Sequence, residues 1–306
     1  MSTLSIPRQG AQIEREYEGL LQGSAEHIKA YFEDSGPDYA AWSANYNMHF
    51  GYWNWRTSFF DREKMLEQMN IQVMKRLEIP SGANWHIADL GCGLGATAAK
   101  IGLSYPNSHL TGLSIVPSQI EMGNALLNAR KVQNAVLKKG DFADPEFAKE
   151  SMDAVYGVES ICYGDGLDKA DVIAGMANVL KPGGRFVVTD GFIKKVPARF
   201  GPLFRPIYES VCKNWALKDF AHIEHFRKAL REHGLIIEKV EDASWRVAPT
   251  ALQVPFVILH FMHQKLEQGD RLSTMRWGHL KACFNGMLMG MFRSHFGYYI
   301  ISGRKG

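Results

Sequence analysis

The stretch Asp89-Leu-Gly-Cys-Gly-Leu-Gly95 decides the fold of this 306-residue chain. It ends a short apolar run over residues 85–90, and a helical pattern begins directly after it at residue 96. Glycine lets the backbone turn sharply and lets a ligand approach it closely, and the N-terminus of the next helix then lies just behind the turn. The stretch therefore predicts a strand, a tight turn and a helix that together form part of a ligand site.

Short apolar strands alternate with helices from this turn onward. Strands are predicted at residues 85–90, 110–114, 135–138, 154–156 and 185–189, with helices between them at residues 96–104, 118–131 and 169–180. Such alternation indicates parallel strands joined by crossover helices. Two more strands are predicted at residues 235–240 and 295–302. We therefore predict an α/β fold with a doubly wound, seven-stranded, mostly parallel sheet of the Rossmann-like type.

The remaining residues are predicted to form a lid and a cap. Helices at residues 14–32 and 60–77 flank an aromatic-rich segment at residues 39–55, so we expect residues 1–80 to form an N-terminal helical lid. The sheet domain then spans residues 81–306. Substrate-cap insertions are expected in it at about residues 192–218 and 249–292, the second with helices at residues 250–266 and 272–292.

Composition excludes several classes of partner. The net charge of +3 arises from scattered lysines and arginines without a basic run, so no nucleic-acid partner is predicted. The cysteines lie far apart in sequence, which argues against a zinc knuckle or a disulfide framework. No run approaches the ~18 apolar residues of a spanning helix, and the first residues lack a secretory apolar segment. We expect a cytoplasmic protein without stable membrane insertion, with a homo-oligomer left open.

The region from residue 85 to residue 189 resembles the class I S-adenosylmethionine-dependent methyltransferases. Asp89 precedes the first glycine, where a carboxylate suits a cationic ammonium group better than a pyrophosphate. In the family, the backbone of this turn lies near the methionine part of the cofactor. The resemblance therefore implies S-adenosyl-L-methionine as the cofactor, bound by Asp89, Gly91 and Gly93.

The same resemblance implies further cofactor residues, in the family's order along the chain. Most members carry an acid after the second strand for the ribose. This chain has Ser114 there and Gln119 five positions on, as in members that act on lipids and isoprenoids. Asp141 and Phe142 resemble the family's adenine motif. The lid resembles the segment that covers the cofactor in tocopherol methyltransferases, which implies contacts from Tyr39 and Tyr46.

The end of the fourth strand is the predicted catalytic position. Glu159 stands there with Tyr163 close behind, and the carboxyl ends of parallel strands face the ligand crevice. Glu159 matches a glutamate of sterol C-methyltransferases and cyclopropane synthases, where the carboxylate lies near the reacting carbon. A structural acid and a ligand for the cofactor's ammonium are the alternatives. An aromatic substrate pocket is expected from His49, Tyr52, Trp53 and Trp215.

We therefore predict an enzyme of secondary metabolism that C-methylates a small hydrophobic isoprenoid through a carbocation. A prenyl diphosphate, a sterol-like compound and a prenylquinone-like compound are the substrates considered. The rivals are O- or N-methylation, cyclopropanation of an acyl chain, and a non-catalytic cofactor-binding protein. Basic residues past the fifth strand could hold a diphosphate or form a solvated face: Lys194, Lys195, Arg199 and Arg205. No metal is predicted, because the pairs His222/His225 and His260/His263 lack an evident third ligand.

Overall fold

A computed structural model describes residues 20–270 and 272–306 of the chain. One sheet runs through this part, in the order β3-β2-β1-β4-β5-β8-β7, and a short β6 pairs with β5 beside that path. The strands are β1 His86–Leu90, β2 His109–Ser114, β3 Ala135–Lys139, β4 Met152–Val158, β5 Leu180–Ile193, β6 Ala221–His222, β7 Leu235–Asp242 and β8 Phe296–Lys305. β8 is antiparallel to β5 and β7, while β1 to β6 pair in parallel. The predicted doubly wound, mostly parallel sheet is confirmed.

Helices cover both faces of the sheet and its carboxyl edge. They are α1 Ala25–Ser35, α2 Tyr39–Trp42, α3 Arg62–Leu77, α4 Ala96–Ser104, α5 Pro117–Ala129, α6 Ala170–Val179, α7 Phe204–Asn214, α8 Ile223–Glu232, α9 Ser244–Ala251, α10 Val254–Glu267 and α11 Thr274–Met291. Among the described residues, these helices include none that is long and apolar enough to cross a membrane.

Two predicted helices differ from the structure at their ends. Within the described residues, the helix predicted over residues 14–32 begins at Ala25, because Gly23 turns the chain with a φ of 72° and Ser24 accepts a hydrogen bond as the N-cap. Residues 14–19 lie outside the described part. The helix predicted over residues 250–266 is divided into α9 and α10 at Leu252 and Gln253. Pro255 accounts for the new start, because proline suits the first turn of a helix.

The core lies on both faces of the sheet because successive strand residues point to opposite sides. On one face, Val155 and Phe186 are fully buried against Met176 of α6 and Phe226 of α8. On the other face, α3 and α4 pack against the same strands, and Met69 of α3 is fully buried. The predicted lid of residues 1–80 therefore includes a helix, α3, that belongs to the sheet's own packing layer.

The segments that enclose the carboxyl edge of the sheet come from the two ends of the chain. α1 and α2 approach from the N-terminal side, and α11 approaches from the C-terminal side. Arg276 of α11 joins them, because its Nε lies 3.1 Å from a carboxylate oxygen of Asp38, between α1 and α2. Arg276 and Asp38 are largely buried, so this ion pair fixes the N-terminal segment against α11.

Candidate active site

A cavity of about 780 Å³ lies at the carboxyl edge of the sheet. The turn after β1 and the ends of β2, β4 and β5 form its floor, and α1, α2 and α11 form its roof. The structure brings most of the residues singled out from the sequence to this one cavity: Tyr39, Tyr46, His49, Asp89, Gly91, Gly93, Ser114, Gln119, Asp141, Phe142, Glu159, Tyr163 and Trp215. Such a volume is typical of a small-molecule site.

The glycine turn requires glycine for both conformational and steric reasons. Gly91 has a φ of 78° and Gly93 a φ of 51°, in the left-handed region that side chains disfavour. A Cβ on Gly91 would overlap the Cβ of Ser160, and one on Gly93 would lie 2.9 Å from the sulfur of Met48. The turn thus keeps its backbone bare where it borders the cavity.

Asp89 is a buried carboxylate at the end of β1, where the cavity begins. The Tyr156 hydroxyl donates a hydrogen bond to its Oδ2 at 2.8 Å. Burial raises the pKa of Asp89 to about 7, although the hydrogen bond from Tyr156 acts in the opposite direction. A carboxylate in this setting gains from a cationic ligand, because a positive charge compensates for the water that burial removes.

Ser114 and Gln119 form a hydrogen-bonded pair at the end of β2. The Ser114 Oγ donates to the Gln119 Oε1 at 2.8 Å, and the backbone N–H of Val116 donates to the Ser114 Oγ at 3.1 Å. The Gln119 Nε2 then faces the sulfur of Met48 at 4.0 Å, which is a weak acceptor. Its N–H groups remain suited to the oxygens of a ligand diol.

Asp141 and Phe142 follow β3 and line the same end of the cavity. The backbone N–H of Ala143 donates to the Asp141 Oδ1 at 2.9 Å, which orients the carboxylate. Phe142 is partly buried and packs against the core, so its ring is held in place. An acceptor beside a fixed aromatic face suits a heteroaromatic base.

Glu159 lies on the cavity wall, directly after β4. Its Oε1 accepts two hydrogen bonds at 2.7 Å, from the backbone N–H of Phe50 and from the Tyr298 hydroxyl. No residue of the described ranges donates to its Oε2. Burial raises the pKa of Glu159 to about 8, and the two donors partly offset that rise. Its φ of 51° is strained for a residue with a side chain, as is common at functional sites.

Asp190 is a second buried carboxylate of this cavity, and our sequence reasoning missed it. The backbone N–H of Cys162 donates to its Oδ2 at 3.0 Å, and that of Gly191 donates to its Oδ1 at 2.7 Å. Burial raises its pKa to about 6. The sequence feature that identified Glu159, an acid near the carboxyl end of a parallel strand, could also have identified Asp190, which lies toward the carboxyl end of β5.

Tyr52 and Trp53 lie outside the cavity, so their assignment to the substrate pocket is corrected. After Phe50 the chain turns away between α3 and α9, because the N–H of Tyr52 donates to Met65 and that of Trp53 donates to Arg246. The Tyr52 hydroxyl donates to Glu241 at 2.8 Å, and the Trp53 Nε1 donates to the Thr57 carbonyl at 2.8 Å. Both side chains fasten the segment to its neighbours.

Of the other predicted pocket residues, His49 and Trp215 do border the cavity. The His49 Nδ1 lies 2.9 Å from the Phe50 carbonyl oxygen and its Nε2 lies 3.0 Å from the Asn70 Oδ1. Burial lowers the pKa of His49, so the ring is neutral at neutral pH. Trp215 follows α7 and packs against Gly286 of α11.

Comparison with known proteins identifies the family. A family described as a methyltransferase domain matches residues 87–184. The O-methyltransferase resE of Aspergillus sclerotiorum is 30% identical over 212 residues, which cover 66% of this chain and 73% of that protein. The chain belongs to the S-adenosylmethionine-dependent methyltransferases.

Solved structures share the fold of this methyltransferase at low identity. The cyclopropane synthase MmaA2 from Mycobacterium tuberculosis aligns with a TM-score of 0.77 at 12% identity, over 93% of this chain and 99% of that one. A geranyl diphosphate methyltransferase in complex with GPP and sinefungin aligns with a TM-score of 0.70 at 16% identity, over 92% and 99%. At these identities the likeness shows the class I methyltransferase fold.

S-adenosylmethionine is the cofactor of this methyltransferase, and the cavity residues fit it. A buried carboxylate, Asp89, suits the ammonium group, and the bare turn at Gly93 leaves room beside it. Gln119 offers donors for a ribose diol, and Asp141 with Phe142 offers an acceptor and a ring for adenine. All of these groups border the same cavity.

Proposed function

We propose that this methyltransferase transfers a methyl group to a carbon atom of an uncharged, mainly apolar isoprenoid through a carbocation. The observation that carries the proposal is Glu159, a half-buried carboxyl group on the cavity wall whose Oε2 has no donor in the described part of the chain. With a pKa of about 8, Glu159 is ionised in part of the molecules at neutral pH, and its ionised form is a stronger base than an ordinary carboxylate. The same charge stabilises a cation that forms next to it.

The aromatic character of the wall supports a cationic intermediate. The face of an aromatic ring attracts a positive charge without acting as a nucleophile toward it. Rings border the cavity around Glu159 and toward the cap: Phe32, Tyr39, Trp42, Phe50, Tyr163, Trp215, Phe220, Phe261, Phe296 and Tyr298. Because these side chains also exclude water, they protect such an intermediate from capture by hydroxide or water.

The charges on the wall favour a sterol-like or prenylquinone-like substrate over a prenyl diphosphate. The lysine and arginine of the lining, Lys218 and Arg293, are each paired with a carboxylate, that of Asp165 and that of Asp242 respectively. The basic residues considered for a diphosphate all lie outside the lining: Lys194, Lys195, Arg199 and Arg205. A diphosphate would therefore enter the cavity without a free cation from the described residues to bind it.

The residues have separate tasks in this proposal. Asp89, Gly93, Gln119 and Asp141 hold the cofactor, which supplies an electrophilic methyl group on its sulfonium when bound. The segments α1, α2 and α11 close the cavity and hold an alkene carbon of the substrate in line with that methyl group. The alkene's π electrons form the new carbon–carbon bond to the methyl group as its carbon–sulfur bond breaks, which leaves neutral S-adenosylhomocysteine and a cation on the adjacent carbon. Glu159 then takes a proton from a neighbouring carbon, and the electrons of that C–H bond restore an alkene.

O-methylation is the second candidate, and the resemblance to the O-methyltransferase resE favours it. A hydroxyl nucleophile loses its proton during transfer, so it needs a base near the acceptor oxygen. Glu159 borders the cavity with its Oε2 left without a described donor, and it meets that requirement. This candidate differs from C-methylation in the atom that receives the methyl group, which the product itself reveals.

A product assay separates these candidates. The protein is incubated with methyl-labelled cofactor and a panel of sterols, prenylquinols, isoprenoid alkenes, prenyl diphosphates and phenols, and labelled products are analysed by mass spectrometry and NMR. A new carbon–methyl bond on an uncharged isoprenoid supports the proposal, whereas a methyl ether supports O-methylation. Labelled product from prenyl diphosphates alone contradicts the inference drawn from the wall's charges.

A further inference from the structure

A polar cluster lies in the roof of the cavity, away from the cofactor residues. His279 of α11 is its centre, and the Tyr31 hydroxyl of α1 lies 2.6 Å from the His279 Nδ1. The Cys283 sulfur, one turn farther along α11, lies 3.5 Å from the His279 Nε2. The ring of Tyr39 packs against the imidazole, with the ring centres 5.8 Å apart. All four residues line the cavity.

The imidazole of His279 has hydrogen-bonding capacity that its protein neighbours leave largely unused. Nδ1 is fully occupied by the short contact with Tyr31, whichever of the two carries the proton. Nε2 meets only a thiol sulfur among the described residues, and a thiol is a weak partner in either direction. Burial, with the nearby positive charge of Arg276, lowers the pKa of His279 to about 4. The ring is therefore a neutral imidazole with one nitrogen open to a ligand.

The cluster is not the only connection between the N-terminal segment and α11 among the described residues. The buried ion pair between Arg276 and Asp38 already makes that connection one turn earlier on α11. The roof also presents apolar side chains to the cavity, among them Ile28, Leu280 and Met287. A polar nitrogen in an apolar roof costs free energy unless a ligand satisfies it, so the arrangement fits a ligand with one polar group.

We propose that the Nε2 of His279 binds a single hydroxyl or carbonyl group of an otherwise apolar substrate and thereby determines which carbon of that substrate faces Glu159. This inference rests on the proposed function and adds to it the kind of substrate taken, an isoprenoid alcohol or ketone. Tyr31 is a positioning residue, because its hydroxyl holds the imidazole ring in one orientation. Tyr39 links the His279 cluster to Glu159, because its ring packs against His279 and its hydroxyl lies near the Glu159 carboxyl group. Burial raises the pKa of the Tyr39 hydroxyl, and the charge of Glu159 raises it further.

The test compares two probes that differ by one oxygen. Farnesol and 2,6,10-trimethyl-2,6,10-dodecatriene, the same chain without the hydroxyl, are titrated into the full-length protein saturated with S-adenosylhomocysteine, and binding is followed by calorimetry. The wild type should bind farnesol about tenfold more tightly, the value of one hydrogen bond in a buried site. His279→Phe, which keeps the ring and removes the nitrogens, should lose this preference while its affinity for the hydrocarbon stays the same.

Matched variants separate recognition from structural support. Tyr31→Phe should reduce the preference for farnesol several-fold, because the ring of His279 loses its anchor. His263→Phe is the control, since that histidine lies on α10 with 71% of its side chain exposed, outside the cavity lining; it should match the wild type. S-adenosylhomocysteine affinity, measured in every variant, reports whether the cavity is intact. Should His279→Phe fail to fold, Tyr31→Phe decides: a reduced preference supports the proposal and an unchanged one overturns it.

The outcomes distinguish this inference from the proposed function. Equal binding of both probes by the wild type overturns the role of His279 and leaves an apolar-substrate methyltransferase standing. Binding of neither probe, with S-adenosylhomocysteine still bound, overturns the inference that an isoprenoid alcohol binds at His279, and the product assay then decides the proposed function separately. A preference for farnesol that survives in His279→Phe places the hydroxyl elsewhere in the cavity and overturns the inference.

Discussion

The Tyr298 hydroxyl donates a hydrogen bond to the Oε1 of Glu159 at 2.7 Å, across 139 positions of sequence. Tyr298 belongs to β8, the antiparallel strand inserted between β5 and β7, and Glu159 follows β4. The hydroxyl also lies 2.9 Å from the Thr189 Oγ1 of β5. The acid is therefore held by the sheet itself, while its Oε2 is left for a ligand.

Glu159→Gln is expected to reduce turnover by about 10²–10⁴-fold, the usual loss when a general base is removed. Glutamine keeps the size of the side chain and an acceptor for Phe50 and Tyr298 but has neither charge nor basicity. Affinity for S-adenosylhomocysteine, measured by calorimetry, should stay within a few-fold of the wild type. A parallel loss of that affinity would make Glu159 a cofactor ligand, and full activity would remove the base from the mechanism.

Tyr298→Phe is expected to move the acidic limb of the kcat/KM profile to higher pH. The hydroxyl stabilises the ionised form of Glu159, so its removal raises the pKa of that acid above its value of about 8. Activity then needs a higher pH to reach the same plateau. A merely structural role predicts lower activity with an unchanged profile, so the position of the limb is the deciding measurement.

Gly93→Val is expected to abolish measurable binding of S-adenosylmethionine. The new side chain enters the space beside Met48, and the φ of 51° adds backbone strain. Gly82→Val is the matched control, because Gly82 has a φ of 74° but a Cβ added there would meet no described atom within 4 Å. Both variants should lose stability in thermal unfolding, and only Gly93→Val should lose the cofactor. Unchanged affinity in Gly93→Val would place the cofactor elsewhere.

Asp141→Ala is expected to weaken cofactor binding by about 1–3 kcal/mol, the usual value of a hydrogen bond to a charged group. The carboxylate borders the cavity beside Phe142 and is oriented by the N–H of Ala143. Asp144→Ala, an exposed acid of the same loop outside the cavity lining, is the control. Calorimetry with S-adenosylhomocysteine measures both, and equal affinities in the two variants would remove Asp141 from the adenine site.

The parts of the site that could be predicted are those encoded by local sequence. Asp89 and Gly93 lie in one turn, and Glu159 follows one strand, so the strand–turn pattern alone places them at the carboxyl edge. The substrate end depends on contacts between distant segments instead. Tyr31 meets His279 across 248 positions, and no periodicity links them. Tyr52 was misplaced for the same reason, because the aromatic content of a loop does not show which way the chain turns.

Asp89 is expected to make cofactor binding depend on pH. Its pKa of about 7 means that the carboxyl is half protonated near neutrality in the free protein. A cationic ammonium prefers the ionised form, so binding lowers this pKa and releases a proton below pH 7. Affinity for S-adenosylmethionine should thus fall as the pH drops from 7 to 5.5, by up to about tenfold per unit. Calorimetry in buffers of different ionisation enthalpy measures both the affinity and the proton released.

The variant Asp89→Asn tests whether Asp89 causes the pH dependence of cofactor affinity. It is needed because Glu159 and Asp190 also titrate in this cavity, with pKa values of about 8 and about 6. Asparagine can still accept the hydrogen bond from Tyr156, but it carries no charge at any pH. The variant should bind the cofactor weakly and with little change in affinity between pH 5.5 and pH 7. If the affinity of Asp89→Asn still changes steeply with pH, the proton released on binding belongs to another carboxyl group. If its affinity changes little with pH, Asp89 is the residue that binds the ammonium group.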